Sequence, residues 1–202
     1  MTSEDRPPEQ PQTEAIVIPP HIIRPFAHGL DQLLTEPLKQ IDAKLSNRER
    51  TTTGNYNEPE EAQTGFDQLK KFVTDLKTAR VVTLKQPDPD HWTLILSDEK
   101  DDEATKPQAG EVIIDTVLSR QLGQALGHHA GNMITAPIGF ALILDGDDIN
   151  GDLHKAASHI NDLLKPFEGY KDLNQIRIVT DDDGNTTLTP VFQELAEEKE
   201  TA

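Results

Sequence analysis

The chain has 202 residues, with 36 acidic and 19 basic side chains and a formal net charge of -17. Its hydrophobic fraction of 35% is lower than in an average soluble domain, so we expect one folded domain with polar tails. The absence of cysteine excludes disulfides, thiolate zinc sites, iron–sulfur clusters and cysteine nucleophiles. The negative charge disfavours direct binding to nucleic acid or to anionic membranes, and it favours a protein partner with a basic surface.

Both ends of the chain have the composition of polar tails. Residues 1–24 are rich in Pro and Glu and are predicted to be disordered, whereas residues 196–202 are predicted to be an acidic tail. Within the first tail, Ile16-Val17-Ile18 predicts an extended strap on the domain or a short docking motif. The first residues lack the basic and apolar segments of a secretory signal, and no apolar run reaches membrane-spanning length, so we expect a cytoplasmic protein.

A helical arm is predicted over residues 25–47, followed by a linker over 48–57. Pro37 interrupts the pattern and predicts a kink or two consecutive helices. Such an arm would pack on its own domain, exchange between protomers or lie in a partner's groove, and exchange would give a homo-oligomer. Its apolar face consists of Phe26, Leu30, Leu33, Leu34, Leu38, Ile41 and Leu45.

An α+β domain is predicted over residues 58–195. It begins with a helix over 58–79 and a hairpin of two strands over 81–85 and 91–97, in which Trp92 alternates with core leucines. The charged run from Asp98 to Glu103 is predicted to be a solvated loop or a landing patch for a basic surface.

The second half of this domain contains a predicted crossover unit, in which the helix 149–166 joins a buried strand over 138–144 to a strand over 175–180. We therefore expect one mixed sheet of about five strands with helices mainly on one face. No internal repeat is visible in the sequence. The remaining predicted elements are a strand over 111–114, a helix capped by Asp115 and ended by Gly127, and a strand over 186–189.

Two acidic loops are candidate cation sites. Asp145, Asp147 and Asp152 precede the helix 149–166, and hard cations such as Ca²⁺ or Mg²⁺ take oxygen ligands from such loops. An EF-hand-type loop starting at Asp145 fails, however, because its sixth position is Asn150 rather than Gly. The competing interpretation is that Asp148 or Asn150 caps the helix. The run Asp181 to Asn185 is explained by hairpin-turn chemistry.

Five histidines were considered as metal or catalytic ligands. His154 and His159 lie five apart on one predicted helix, where they point away from each other. His128 and His129 follow a predicted helix end, where a protonated imidazole is favoured without any further role. A site between segments, such as His128 with an Asp of the 145–152 loop, is an alternative. The fifth histidine is His91 on the predicted hairpin.

The sequence assigns no catalytic, cofactor-binding or metal-ligating residue, because dinucleotide, phosphate-loop and nucleophile-elbow motifs are all missing. The favoured hypothesis is a non-enzymatic acidic binding or regulatory protein that contacts a basic or apolar partner surface. By composition alone it is chaperone-, adaptor- or immunity-like. The alternative is a divalent-metal-dependent enzyme or ion-regulated protein that uses the loop from Asp145 to Asp152. The third hypothesis is an inhibitor that mimics DNA.

Overall fold

A computed structural model describes residues 15–46, 52–53, 56–88, 91–100 and 107–193. The described segments form four α-helices, eight strands and one 3-10 turn, Tyr170–Asp172. The elements of the first half are β1 (Ala15–Ile18), α1 (Pro20–Ser46), β2 (Thr52–Thr53), β3 (Tyr56–Asn57), α2 (Glu58–Thr78), β4 (Val82–Asp88) and β5 (His91–Leu96). Those of the second half are β6 (Gly110–Ile114), α3 (Thr116–Leu144), α4 (Asp152–Glu168), β7 (Leu173–Thr180) and β8 (Thr186–Phe192).

The strands form two separate three-stranded sheets and one very short hairpin. The first sheet has the order β1-β4-β5 and the second has the order β6-β7-β8, whereas β2 pairs with β3. Every pairing among the described strands is antiparallel. The α+β class is therefore confirmed, but the prediction of one mixed sheet of about five strands is wrong.

The mixed sheet was predicted because an apolar run was interpreted as a strand. The run 138–144 is the last part of α3, which continues through Gly127 and Pro137 rather than ending at Gly127. A short apolar run has the same composition in a buried strand and in a buried helix. Consequently α3 and α4 follow one another between β6 and β7, and the predicted crossover unit does not form.

Helix α1 belongs to the core and is not a projecting arm. The side chains of Phe26, Leu30 and Ile41 are fully buried, and α1 packs against α2, α4 and β8. An apolar stripe on a helix is equally suited to a partner's groove and to its own domain, so the pattern alone did not distinguish them. The apolar face predicted for exchange between protomers is thus covered by its own chain.

The predicted boundaries at the N-terminal end are also corrected. The strap predicted at Ile16-Val17-Ile18 is confirmed, because these residues lie in β1 and pair with β4. Residues 15–18 form a strand and α1 begins at Pro20, so regular structure is present before residue 25. Residues 1–14, most of the predicted linker and the tail 196–202 lie outside the described segments. The predicted helix over 58–79 and the hairpin after it are confirmed as α2 and β4–β5.

The two sheets are parts of two copies of one β-α-α-β-β unit, which corrects the expectation of no internal repeat. The first unit consists of β1, α1, α2, β4 and β5, and the second of β6, α3, α4, β7 and β8. The strands pair in the same order in each unit: the first strand of the unit pairs with the second, and the second pairs with the third. Antiparallel pairing in the same order twice indicates a duplicated fold rather than a coincidence of element types.

The register and burial of the two units also correspond. Ile18 pairs with Val82, and Ile114 pairs with Ile176. A shift of 96 residues places the buried positions of α1 on those of α3, and a shift of 91 residues places those of α2 on those of α4. Side-chain identity survives at few of these positions, which is why the repeat is invisible in the sequence. The corresponding buried pairs include Phe26 and Leu122, Leu30 and Leu126, Leu38 and Ile134, Phe66 and Ala157, Leu69 and Ile160, Leu76 and Phe167.

The units are packed into one another. Helix α3 packs against α2 and β5 of the first unit, and α1 packs against α4 and β8 of the second. The core is accordingly shared, with aromatic contact between Phe26 and Phe167 at a centroid distance of 6.1 Å. In the described segments, no helix combines the length and hydropathy needed to cross a bilayer.

Candidate functional site

The loop from Asp145 to Asp152 serves the start of α4. The Asp145 carboxylate accepts hydrogen bonds from the backbone N–H groups of Leu153 and His154, both at 2.8 Å. The prediction that Asp148 or Asn150 caps this helix is therefore wrong, because the N-cap residue is Gly151. The Asp145 side chain fills the space that a side chain at position 151 would occupy. Because Asp145 lies outside the local capping window, sequence spacing alone did not identify it.

The geometry of this loop does not gather carboxylates around one point. Asp152 is directed towards Lys44, with an N···O distance of 3.6 Å, and Asp147 has a positive φ of 62°. Within the described segments, no three side chains of His, Asp or Glu are arranged to hold a metal ion. The metal alternative thus has no support from the positions of Asp145, Asp147 and Asp152.

The acidic turn between β7 and β8 follows hairpin chemistry, as expected. Asp181 accepts hydrogen bonds from the backbone N–H groups of Asp183 and Asn185 and from the Asn185 side-chain amide. These bonds, led by that of the Asn185 side chain, lower the pKa of Asp181. Gly184 supplies the positive φ of 84° that the turn requires.

Three histidines lie together where the units meet. The rings of His91, on β5, and His128, on α3, are 5.2 Å apart, and His91 Nδ1 lies 3.3 Å from Asp88 Oδ1. His129 packs on Phe72 at 4.5 Å, and burial, followed by the nearby His128, lowers the pKa of His129. The predicted combination of His128 with the 145–152 loop does not occur, because 17 residues of continuous helix separate His128 from Asp145, about 25 Å.

The other two histidines do not share a site. His159 is exposed on α4, and His154 lies near the start of that helix. His154 Nδ1 is buried and has no hydrogen-bond partner among the described residues, while Nε2 lies 3.4 Å from the Ser158 hydroxyl.

The acidic run after β5 was predicted to be a loop or a landing patch. Its described part is tied to the domain, since Glu99 contacts Arg80 at 2.9 Å and Lys100 contacts Asp75 at 3.1 Å. Residues 101–106 lie outside the described segments. Trp92 is buried with 7% of its surface exposed, so its predicted place in the core is confirmed.

Each unit has a groove beside its first helix, and ion pairs cross the one in the first unit. Lys77 on α2 lies 2.6 Å from Asp31 on α1, and Lys70 lies 2.6 Å from Asp42. Burial alone would lower the pKa of Lys70, but its hydrogen bonds with Asp42 and Asp67 outweigh that effect and raise it. The two lysines of this groove are thus paired with carboxylates of the same chain.

The groove in the second unit is larger and lies on the equivalent side of α3, but its other wall is the end of α4 with Tyr170 and His91. Its volume is about 500 Å³, compared with about 250 Å³ in the first unit. Tyr170 accepts a hydrogen bond from Gln124 at 3.1 Å across it. Sequence reasoning missed this groove, although Gly123, Gly127 and Gly131 recur every four residues and such a stripe indicates close helix packing. The polar lining residues are His91, Gln124, His128, Asn132, Thr135, Glu168 and Tyr170.

The exposed face of the first sheet is a second candidate surface. Val17 pairs with Thr83, which pairs with Ile95, and 61% of Val17 and 46% of Ile95 are exposed. The neighbouring row consists of Ala15, Lys85 and Thr93. None of these six side chains is a carboxylate, in a chain whose net charge is -17.

The second sheet presents a different face at the corresponding positions. The place of Thr83 is taken by Arg177, which pairs with the carboxylate of Glu111 across the strands. The place of Ile95 is taken by Thr189. Both faces expose large apolar side chains, since Ile113 and Val179 of the second sheet are also exposed, but the first face carries fewer charged residues. No known protein family, curated protein or solved structure matches the chain. The exposed surfaces of the fold are therefore the basis for its proposed function.

Proposed function

We propose that this is a non-enzymatic binding or regulatory protein that docks an apolar partner surface on the exposed face of its first sheet. The observation that carries the proposal is the row of Val17, Thr83 and Ile95, with its exposed apolar side chains and no carboxylate. The proposal includes the cytoplasmic location expected from the sequence.

Apolar burial and the absence of carboxylates together support docking at this face. Burial of an exposed Val or Ile side chain contributes about 1.5–3 kcal/mol, so Val17 and Ile95 supply the centre of a small binding site. Elsewhere the high negative charge repels acidic proteins and keeps the molecule dispersed. A partner with an apolar, weakly charged surface therefore gains apolar burial at the first sheet without meeting a carboxylate there.

Site-specific photo-crosslinking in the protein's own cells tests the proposal. A photoreactive residue at Thr83 is expected to give an adduct of defined mass, whereas one at Thr187 on the second sheet's face is not. Ile95→Glu places a carboxylate in the row and is expected to reduce that adduct at least tenfold. The matched control is Thr189→Glu, which makes the same charge change at the equivalent position of the second sheet.

The comparison separates docking from general contact. Both glutamate variants lie on exposed positions, so both should melt within a few degrees of the native protein. Equal adducts from Thr83 and Thr187, or equal losses with the two glutamates, would contradict the proposal.

A further inference from the structure

The larger groove of the second unit differs from the groove of the first unit in the charge at one equivalent position. In the first unit the Lys77 ammonium pairs with Asp31, at 2.6 Å. The shifts that relate the two units place Glu168 at the position of Lys77 and Gly127 at the position of Asp31. The second unit therefore has a carboxylate where the first has a cation, and it lacks the side chain that this cation contacts.

The contacts of the glycines support this correspondence. A Cβ atom added at Gly127 would lie 3.1 Å from Cα and Cγ of Glu168, so positions 127 and 168 touch as positions 31 and 77 do. A Cβ at Gly131 would lie 3.5 Å from Glu168 Oε1. The groove above these two glycines is consequently open beside the carboxylate of Glu168.

The walls of the groove suit a hydrogen-bond donor with positive charge. Asn132, Thr135 and the Tyr170 hydroxyl offer oxygen acceptors, and the lining includes no lysine or arginine. Among the described residues, no ion pair or hydrogen bond engages the exposed Glu168 carboxylate. We propose that this groove binds an ammonium or guanidinium group, with Glu168 as its counter-ion and the neighbouring oxygens as acceptors.

The ligand takes the place that Lys77 fills within the first unit. Charge-assisted hydrogen bonds to a carboxylate are stronger than neutral ones, and a planar guanidinium pairs with two oxygens at once. This site lies apart from the row of Val17, Thr83 and Ile95, so it goes beyond the proposed function and does not depend on it.

Two sources supply the same cation: a Lys or Arg side chain of a partner protein, or a free small amine. The probes are a blocked Gly-Ser-Arg-Gly-Ser peptide, the same peptide with citrulline in place of arginine, and arginine amide. Each is titrated at pH 7 into the intact ¹⁵N-labelled protein. We expect saturable shifts of the Gly127, Gly131 and Tyr170 amide signals with both arginine probes and none with citrulline.

Two charge-matched variants separate this site from general attraction by an acidic protein. Glu168→Gln is expected to weaken binding at least tenfold, whereas Asp162→Asn, an equal charge change on the same helix, is expected to change it less than twofold. Equal effects of the two variants, or shifts spread over the acidic loops, would overturn the proposal.

The same titrations distinguish the two sources of the cation. Binding of the peptide at least tenfold tighter than arginine amide supports a partner's side chain, and equal affinities support a small amine. Glu168→Lys, which restores the cation of the first unit, is expected to abolish binding of both. Glu168 is exposed, so both substitutions are made on the surface, and unchanged thermal unfolding of the variants shows that the fold is intact.

Discussion

Burial determines the behaviour of two histidines that the sequence did not distinguish from the others. Burial first, and then the ammonium of Lys77, lowers the pKa of His28, although Asp31 acts in the opposite direction. Burial also lowers the pKa of His129, which packs on Phe72. In both cases the folded protein binds a proton less readily than the unfolded chain does.

The pH dependence of stability follows from this difference. Unfolded histidines take up protons near pH 6.5, whereas His129 in the folded protein does so at lower pH. The free energy of unfolding is therefore fully retained above about pH 6.5, and it decreases as the pH falls towards the folded pKa. His129→Gln is expected to lose less stability than the native protein between pH 7.5 and 5.

Urea denaturation at a series of pH values measures this effect. His159→Gln serves as the control, because it removes an exposed histidine from the surface of α4. The expectation fails if the two variants and the native protein show parallel curves of free energy against pH.

The role of a single residue was predicted correctly where its hydrogen-bond partner lies only a few residues away in the chain. Asp115 caps α3 by accepting from Leu118 N at 3.0 Å, and Asp181 organises its own turn. Asp145 was not identified as the residue that binds the start of α4, because its partners, Leu153 and His154, are eight and nine residues away. Local hydrogen bonds are readable from spacing, but contacts across a loop are not.

At the scale of elements, the packing of α2 on α3 depends on one glycine. A Cβ added at Gly65 would lie 2.0 Å from the Pro137 ring and 3.2 Å from the Met133 carbonyl oxygen. Gly139, two residues beyond Pro137 in α3 and exposed, has no atom within 4 Å of such a Cβ. The same substitution thus meets a closed interface at one position and open space at the other.

Gly65→Ala is expected to lower the free energy of unfolding by about 1–3 kcal/mol, since overpacking forces the helices apart. Gly139→Ala is expected to raise it by up to about 1 kcal/mol, because alanine has the higher helix propensity. Equilibrium denaturation of the two variants checks both signs. Similar changes in the two variants would show that α2 and α3 do not approach closely at this point.

The type of an element was predictable where the spacing of its apolar residues and the length of the run indicated the same structure. The hairpin β4–β5, helix α2 and the acidic turn before β8 all follow from alternation, helical periodicity and turn residues. The run 138–144 failed because its apolar side chains fit a buried helix as well as a buried strand. Pro137 was a misleading boundary: it lies inside α3 and packs against Gly65.

At the scale of the whole molecule, each unit completes the core of the other. Helix α1 packs on β8, and α3 packs on β5, so neither unit buries its apolar helix faces alone. A chain divided between residues 103 and 104 is expected to give two fragments that do not fold as monomers. Mixed in equal amounts, they are expected to recover native helicity and one cooperative thermal transition.

Circular dichroism and sedimentation of the separate and mixed fragments provide the measurement. A cooperative transition in either fragment, while sedimentation shows it to be monomeric, would contradict a shared core. The result also determines how the two candidate surfaces are maintained, because the groove of the second unit includes His91 from the first.

The sequence by itself determined the acidic charge, the absence of cysteine chemistry, the α+β class and most local elements, because each depends on composition or on contacts between near neighbours. Only the tertiary structure decided that α1 is core, that the fold repeats, and that Glu168 lies beside two glycines in an open groove. These features depend on which distant side chains meet. Repeats with the same burial pattern but different residues leave no trace that sequence periodicity detects.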